Sequence, residues 1–199
     1  MRLLGSYTSP YVRRVRIVAD RLGVPFQMVD TTTDEGQAEL RSLSPLWKVP
    51  VLEAEGVGPI VDSRIIIDWL LEQHPSPNFR RFSDPLREQQ LIAMIDGALD
   101  ALINVFYLRR EGGQPEALPY LQKQLDRADV TLEAVAQALD DGYFTPDRRV
   151  GLTEIALVTT LDWMKARQTW DPSRLPSFVR FLEVHAEDPT FANTRPPAA

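Results

Sequence analysis

Three short stretches in the first third of the chain have the residue types and spacing to hold a small charged molecule. The first is Ser9-Pro10, which follows an apolar run, Met1 to Leu4, that stops at Gly5. Serine is a good helix N-cap and proline fits the first helical position. Val12, Val15, Ala19 and Leu22 then recur at helical spacing. A helix N-terminus carries unpaired N–H groups and about half a unit of positive charge, so an anion is stabilised there. Ser9 can add a hydrogen bond to it. The second stretch is Lys48-Val49-Pro50-Val51, with a proline at the head of a strand. If the Pro50 peptide bond is cis, the Val49 N–H and C=O face outward and can pair with an extended peptide. The third is Asp62-Ser63 at another helix start. There Ser63 and the local N–H groups can hold a carboxylate, and Asp62 can face an ammonium. Each stretch also has a plainer account: a capping serine, an ordinary trans proline, a second capped helix. Taken together they describe an anion site, a backbone-pairing site and a site for an amino-acid head group.

These stretches need elements to carry them. Arg2–Gly5 reads as a short buried strand and Pro10–Gly23 as a helix that stops at Gly23. The run from Pro25 to Asp30 alternates as a second strand. Ala38–Leu43 reads as a short helix, Val49–Ala54 as a third strand, Pro59–Val61 as a fourth, and Asp62-Ser63 opens a helix to about His74. The order is β-α-β-α-β-β-α. Arg13, Arg14 and Arg16 fall on or near the exposed side of the first helix, where they would be solvated or would attract an anion. His74–Asn78 is a linker candidate, and no convincing strand follows Pro85. Leu91 to Phe106 marks a long amphipathic helix, broken at Gly112-Gly113 and Pro115. Leu118 to Leu139 marks a second, set antiparallel to it. Ile155 to Trp163 is apolar on most sides and therefore central. A fourth helix follows Pro176, and the tail from Asn193 reads as irregular. The predicted domains are 1–76, an α/β unit, and 85–199, an all-helical unit.

Composition narrows the function. The chain has 199 residues, a net charge of −6 and no cysteine, with a pI near 5.0. The acidity argues against general nucleic-acid binding. Without cysteine there is no disulfide and no thiol chemistry in the chain itself. With only two histidines, His74 and His185, no metal site is expected. No uninterrupted run approaches the ~18 apolar residues of a membrane span. The opening residues lack the pattern of a signal peptide, so a cytoplasmic location is expected.

The residues Thr8-Ser9-Pro10-Tyr11-Val12-Arg13-Arg14-Val15-Arg16, Ser44-Pro45-Leu46-Trp47-Lys48-Val49-Pro50-Val51-Leu52 and Asp62-Ser63 resemble the cytosolic glutathione S-transferases, in particular bacterial members with an active-site serine. Gly151-Leu152-Thr153-Glu154-Ile155-Ala156-Leu157 resembles the same family's helix-start motif. The resemblance implies a thioredoxin-like first domain, an all-helical second domain and a homodimer. It implies a cis Pro50, glutathione as co-substrate held by Lys48, Val49, Pro50, Asp62 and Ser63, and Ser9 against its thiol. The activity implied is transfer of glutathione to a small electrophile, or its use as a reductant. The alternatives are a binding or regulatory protein on the same scaffold, or a glutathione-dependent isomerase or dehalogenase. Trp47, Tyr107 and Arg110 are candidates for the second-substrate pocket. Phe106 and Trp163 are better read as helix packing.

Three features depart from the family pattern. Asp62 stands where many members have Glu, Trp47 stands where a small residue is common, and Gly151 replaces the hydroxyl residue of the helix-start capping box. Tyr7 and Thr8 are rival hydroxyls to Ser9.

Overall fold

The computed structural model describes residues 1–77, 79, 81–114 and 117–196. Asn78 of the expected linker, Pro115 of the expected helix break and residues 197–199 of the tail lie outside them. The chain divides into two units, one formed by Met1–Phe79 and the segment from Pro189, the other by Arg80–Asp188.

The first unit follows the predicted order. It runs β1 (Arg2–Gly5), α1 (Pro10–Leu22), β2 (Gln27–Asp30), α2 (Asp34–Leu43), β3 (Val51–Ala54), β4 (Gly58–Val61) and α3 (Ser63–Gln73). The four strands form one sheet in the order β2-β1-β3-β4. β1 and β2 are parallel, while β1–β3 and β3–β4 are antiparallel. This is the mixed sheet of a thioredoxin-like domain. Side chains alternate across a strand. Leu4 and Val51 therefore share a face and pack with Leu40 of α2, joined by Val29, Leu43, Val49 and Val61. On the other face, Gly5 meets α1 so closely that a Cβ there would lie 2.4 Å from a Val12 methyl. Gly23 ends α1 in the left-handed conformation, as its position predicts.

α2 begins four residues before its predicted start. Thr33 caps it by accepting from the Gly36 N–H at 3.1 Å. Glycine is required at position 36. A Cβ at this position would stand 2.0 Å from the Asp30 carbonyl oxygen.

Two of the arginines of α1 are buried rather than solvated. Arg13 and Arg14 are 2% and 3% exposed. Arg13 donates to the Phe191 carbonyl at 3.0 Å and to Thr194 Oγ1 at 3.3 Å. Arg16 donates to the Thr194 carbonyl and Arg21 to Thr190 Oγ1. Arg14 lies over the Tyr11 ring. The acceptors belong to α8 (Pro189–Asn193) and the residue after it. This is why the segment from Pro189 packs with the first unit, whereas the sequence groups it with the helices. Periodicity cannot show that a charged face will be covered by chain from the far end. Arg13→Met keeps bulk but deletes both donors. It is expected to cost about 2–4 kcal/mol and to release the terminal segment, seen as faster amide exchange at Phe191 and Thr194. Unchanged exchange there would remove Arg13 as the anchor.

The second unit contains α4 (Pro85–Arg110), α5 (Pro119–Gln137), α6 (Leu152–Arg167), a short 3-10 turn (Pro172–Arg174) and α7 (Pro176–Val184). Leu91, Ile95, Ala98, Leu102 and Val105 of α4 are buried, and α4 packs on α5 and α6. By length and composition α4 is also apolar enough to cross a membrane, with a mean hydropathy of 1.7 over 18 residues. Counting uninterrupted apolar runs misses this. α6 is central, buried without a break from Leu152 to Leu161. Gly151 offers no side chain to its N-terminus, but Glu154 supplies the other half of the cap. Glu154 is fully buried, and its two carboxylate oxygens accept from the Gly151 N–H at 2.9 Å and the Phe144 N–H at 3.1 Å. At the start of α4, buried Glu88 similarly binds Arg81 Nε at 2.7 Å and the Phe82 N–H at 3.2 Å.

Candidate functional site

The sheet register decides which of the expected residues lie together. Leu4 at the C-terminal end of β1 pairs with Val51 at the N-terminal end of β3. Val51 in turn pairs with Val61 at the C-terminal end of β4. Adjacent strands are about 4.8 Å apart, so these three residues form one row. The chain beyond each leaves the same end of the sheet. That brings the Ser6–Ser9 loop, Val49-Pro50 and Asp62-Ser63 to one edge, in that order.

Ser9 caps α1 with extended backbone, φ −75° and ψ 126°. Its Oγ accepts from the Val12 N–H at 3.3 Å. An accepting hydroxyl keeps its own proton, so Ser9 can cap the helix and donate to a second group. The rival hydroxyls are placed differently. Thr8 Oγ1 lies 2.8 Å from Ser6 Oγ, and that Ser6 oxygen also accepts from the Thr8 N–H at 3.2 Å. Tyr7 is 41% exposed, with the Arg16 guanidinium 4.8 Å from its ring centre. Burial holds Arg16 below its ordinary value; Tyr7 opposes this and Arg13 adds to it.

The Val49–Pro50 peptide is cis. The Val49 side chain packs inward on the Leu4–Leu40–Val51 cluster. Among the described residues its N–H and C=O have no hydrogen-bond partner. Lys48 is exposed beside it. Trp47 is 63% exposed with a left-handed φ of 52°, and the Arg41 guanidinium sits over its ring at 5.0 Å. Sequence reading did not single out Arg41, although its place in the last turn of α2 puts it within reach.

Asp62 is the cap of α3. It has a φ of 73°, and its Oδ1 accepts from the Arg64 N–H at 2.8 Å. One carboxylate oxygen is therefore committed, and an ammonium would be met by the other. Ser63 becomes the first helical residue and is 4% exposed. Its hydroxyl makes no hydrogen bond among the described residues. The unpaired N–H groups of this first turn and the Ser63 hydroxyl form a donor set suited to a carboxylate.

Tyr107 and Arg110 belong to the last turns of α4 in the second unit. Arg110 lies over the Tyr107 ring at 4.7 Å and 3.6 Å from Glu111. Phe106 meets Trp163 edge to face at 5.7 Å, and Trp163 is buried, which is helix packing. Among the described residues no group of three or more acidic or histidine side chains is arranged to hold a metal.

Known proteins share this plan. Residues 3–78 match the family model for the glutathione S-transferase N-terminal domain. The uncharacterized GST-like protein YibF of Escherichia coli (strain K12) is 30% identical over the full length of both chains. Maleylacetoacetate isomerase of Pseudomonas aeruginosa is 28% identical over 98% of this chain and 96% of its own. Among solved structures, a glutathione S-transferase from Methylobacterium radiotolerans, in complex with glutathione sulfonate, superimposes with a TM-score of 0.85. It is 29% identical over 100% of this chain and 95% of that one. With the mixed sheet, the cis proline and a match that spans the whole sequence, the chain belongs to the glutathione S-transferase family.

Proposed function

We propose that this protein binds glutathione at the edge where β1, β3 and β4 end and transfers it, as the thiolate, to a small electrophile. The observation that carries the reading is the row of Ser9, Val49 and Ser63 set by the sheet register. Each of the three has unspent hydrogen-bonding capacity. Val49 offers its backbone to the cysteinyl residue, and Ser63 with the start of α3 takes the γ-glutamyl carboxylate. Asp62 Oδ2 faces the γ-glutamyl ammonium. Lys48 is assigned to the tripeptide as a further contact. Ser9 donates to the sulfur, whose negative charge is also favoured by the N-terminus of α1.

The chemistry then balances simply. The thiol loses its proton to solvent, and the thiolate forms a bond to an electrophilic carbon. The displaced electron pair leaves with a leaving group or moves into a conjugated acceptor, which takes a proton. Tyr107 and Arg110 are proposed contacts for the electrophile. The same reading makes the protein a cytoplasmic homodimer. Similarity to the Pseudomonas isomerase supports a second reading, in which the sulfur adds to the substrate and leaves again. The two differ in stoichiometry, because a transferase consumes glutathione and an isomerase returns it.

Calorimetric titration with glutathione tests the site. Saturable binding is expected, and Ser63→Ala should weaken it about 5–30-fold, the loss of one hydrogen bond to a charged group. No binding at millimolar glutathione, or equal binding by the variant, would overturn the assignment.

A further inference from the structure

The turn that presents Ser9 is closed by its own bonds. The Ser9 N–H donates to the Ser6 carbonyl at 3.1 Å. The Thr8 N–H donates to Ser6 Oγ at 3.2 Å, and the Ser6 and Thr8 hydroxyls lie 2.8 Å apart. Ser9 is tied forward to α1 through the Val12 and Arg13 N–H groups. Tyr7 stands at the corner of the turn. Among the described residues, the polar and ring contacts of its side chain come down to one, the Arg16 guanidinium at 4.8 Å from the ring centre. The Tyr7 hydroxyl makes no hydrogen bond there.

Arg16 is fixed from its other side. Side chains on a helix lean toward its N-terminus. A residue in the second turn of α1 therefore reaches back toward the turn that precedes the helix. Arg16 Nη1 donates to the Thr194 carbonyl at 3.3 Å. Thr194 is itself held. It is buried, its Oγ1 donates to the Thr190 carbonyl at 2.7 Å, and the same oxygen accepts from Arg13 Nε at 3.3 Å. Among the described residues the Arg16 guanidinium has no carboxylate partner, so a carbonyl and a ring set its place. A planar guanidinium can lie over a ring and donate from its edge at once. Arg16 is half-buried, and loss of water strengthens the attraction of a cation to a ring.

We propose that Tyr7 and Arg16 are positioning residues for Ser9: the guanidinium, anchored on Thr194, holds the Tyr7 ring and so fixes the turn that presents the Ser9 hydroxyl. The consequence for a thiolate rests on the glutathione reading; the hold on the turn does not. The ring carries the part of Tyr7, since its hydroxyl is unbonded among the described residues. A donor aimed at a charged sulfur acts fully only when its direction is fixed. A loosened turn spreads Ser9 over several directions and weakens its bond to the anion.

The test uses the full-length protein. Hydrogen exchange at the Ser9 amide, read without ligand, reports opening of the Ser6–Ser9 turn. Tyr7→Leu and Arg16→Met should each speed it about 3- to 30-fold, the range of one cation–ring interaction. The double variant should be little faster than either. Tyr7→Phe keeps the ring and should exchange as wild type does. The Gly23 amide, at the far end of α1, is the control and should not change. With glutathione bound, Tyr7→Leu should raise the thiol pKa by about half a unit to one unit, roughly a three- to tenfold loss of acidity, and Tyr7→Phe should leave it low. Unchanged Ser9 exchange in Tyr7→Leu, equal acceleration at Gly23, or a Tyr7→Phe variant that behaves as Tyr7→Leu would each overturn the proposal. So would a bound thiol that titrates alike in Tyr7→Leu and wild type. Failure of the glutathione reading is recognised separately, by absence of binding in the wild type, and leaves the exchange result standing.

Discussion

Glu154→Ala is expected to lower the stability of the protein by about 3–5 kcal/mol. The side chain is fully buried, and its two oxygens satisfy the Gly151 and Phe144 N–H groups. Deleting it strands two buried donors, each costing about 1–3 kcal/mol, and leaves a void behind them. Water cannot easily replace it, since α6 is buried from Leu152 to Leu161. The loss is a large share of the ~5–15 kcal/mol that holds a typical native state. The melting temperature should fall by about 6–20 °C, at roughly 2–4 °C per kcal/mol for a chain of this size. Glu154→Gln should fall between wild type and alanine. One amide oxygen still accepts, but the NH2 group then faces a second donor. Chemical denaturation of the three proteins is the check. An alanine variant within about 1 kcal/mol of wild type would show that the Gly151 start does not rely on the glutamate.

The glutamate also shows what a sequence can and cannot disclose. Gly151 three residues before Glu154 reads as half a capping box, and the structure contains that half. The second bond, to Phe144, comes from a loop ten residues away and has no sequence signal. The same holds elsewhere. The order of elements along the first unit was legible because its apolar runs are short and bounded by turn residues. Ser9, Val49 and Ser63 read from the sequence as helix and strand starts; antiparallel pairing of β3 with both β1 and β4 is what aligns them. The early start of α2 escaped the apolar spacing because its first turn, Asp34-Glu35-Gly36, has no apolar side chain. At Gly36 the requirement is space beside the Asp30 carbonyl, not backbone freedom. The buried arginines of α1 were hidden for a related reason. The partners of Arg13, Phe191 and Thr194, lie some 180 residues away in sequence, and a helical wheel assigns such a residue to solvent. Local chemistry could be read from the chain; contacts that join its two ends could not.

Ser9→Ala is expected to raise the pKa of enzyme-bound glutathione thiol by about one to two units while leaving glutathione affinity nearly intact. An unperturbed thiol titrates near 8.5, so at pH 7 little of it is thiolate. A hydrogen bond to a charged acceptor contributes about 1.5–3 kcal/mol, and each pKa unit corresponds to about 1.4 kcal/mol. The proposed serine bond stabilises only the anion, so its loss should move the thiol upward, and the rising limb of any conjugation rate should move to higher pH with it. In the proposed site, affinity at neutral pH rests mainly on Val49 and Ser63, which the substitution does not touch. Ser9 has a second duty, because its Oγ accepts from the Val12 N–H. The alanine variant should therefore also lose about 1 kcal/mol of stability. The two duties separate experimentally. Ser9→Thr keeps both the cap and the donor, and should hold the thiol pKa low. Ser9→Gly preserves most of the capping preference but removes the donor, and should behave like alanine in the thiol titration. Thiolate absorbance against pH, read on all three variants, decides the matter. If the bound thiol titrates alike in every one while stability follows the cap, Ser9 is a helix cap and the thiolate is stabilised elsewhere.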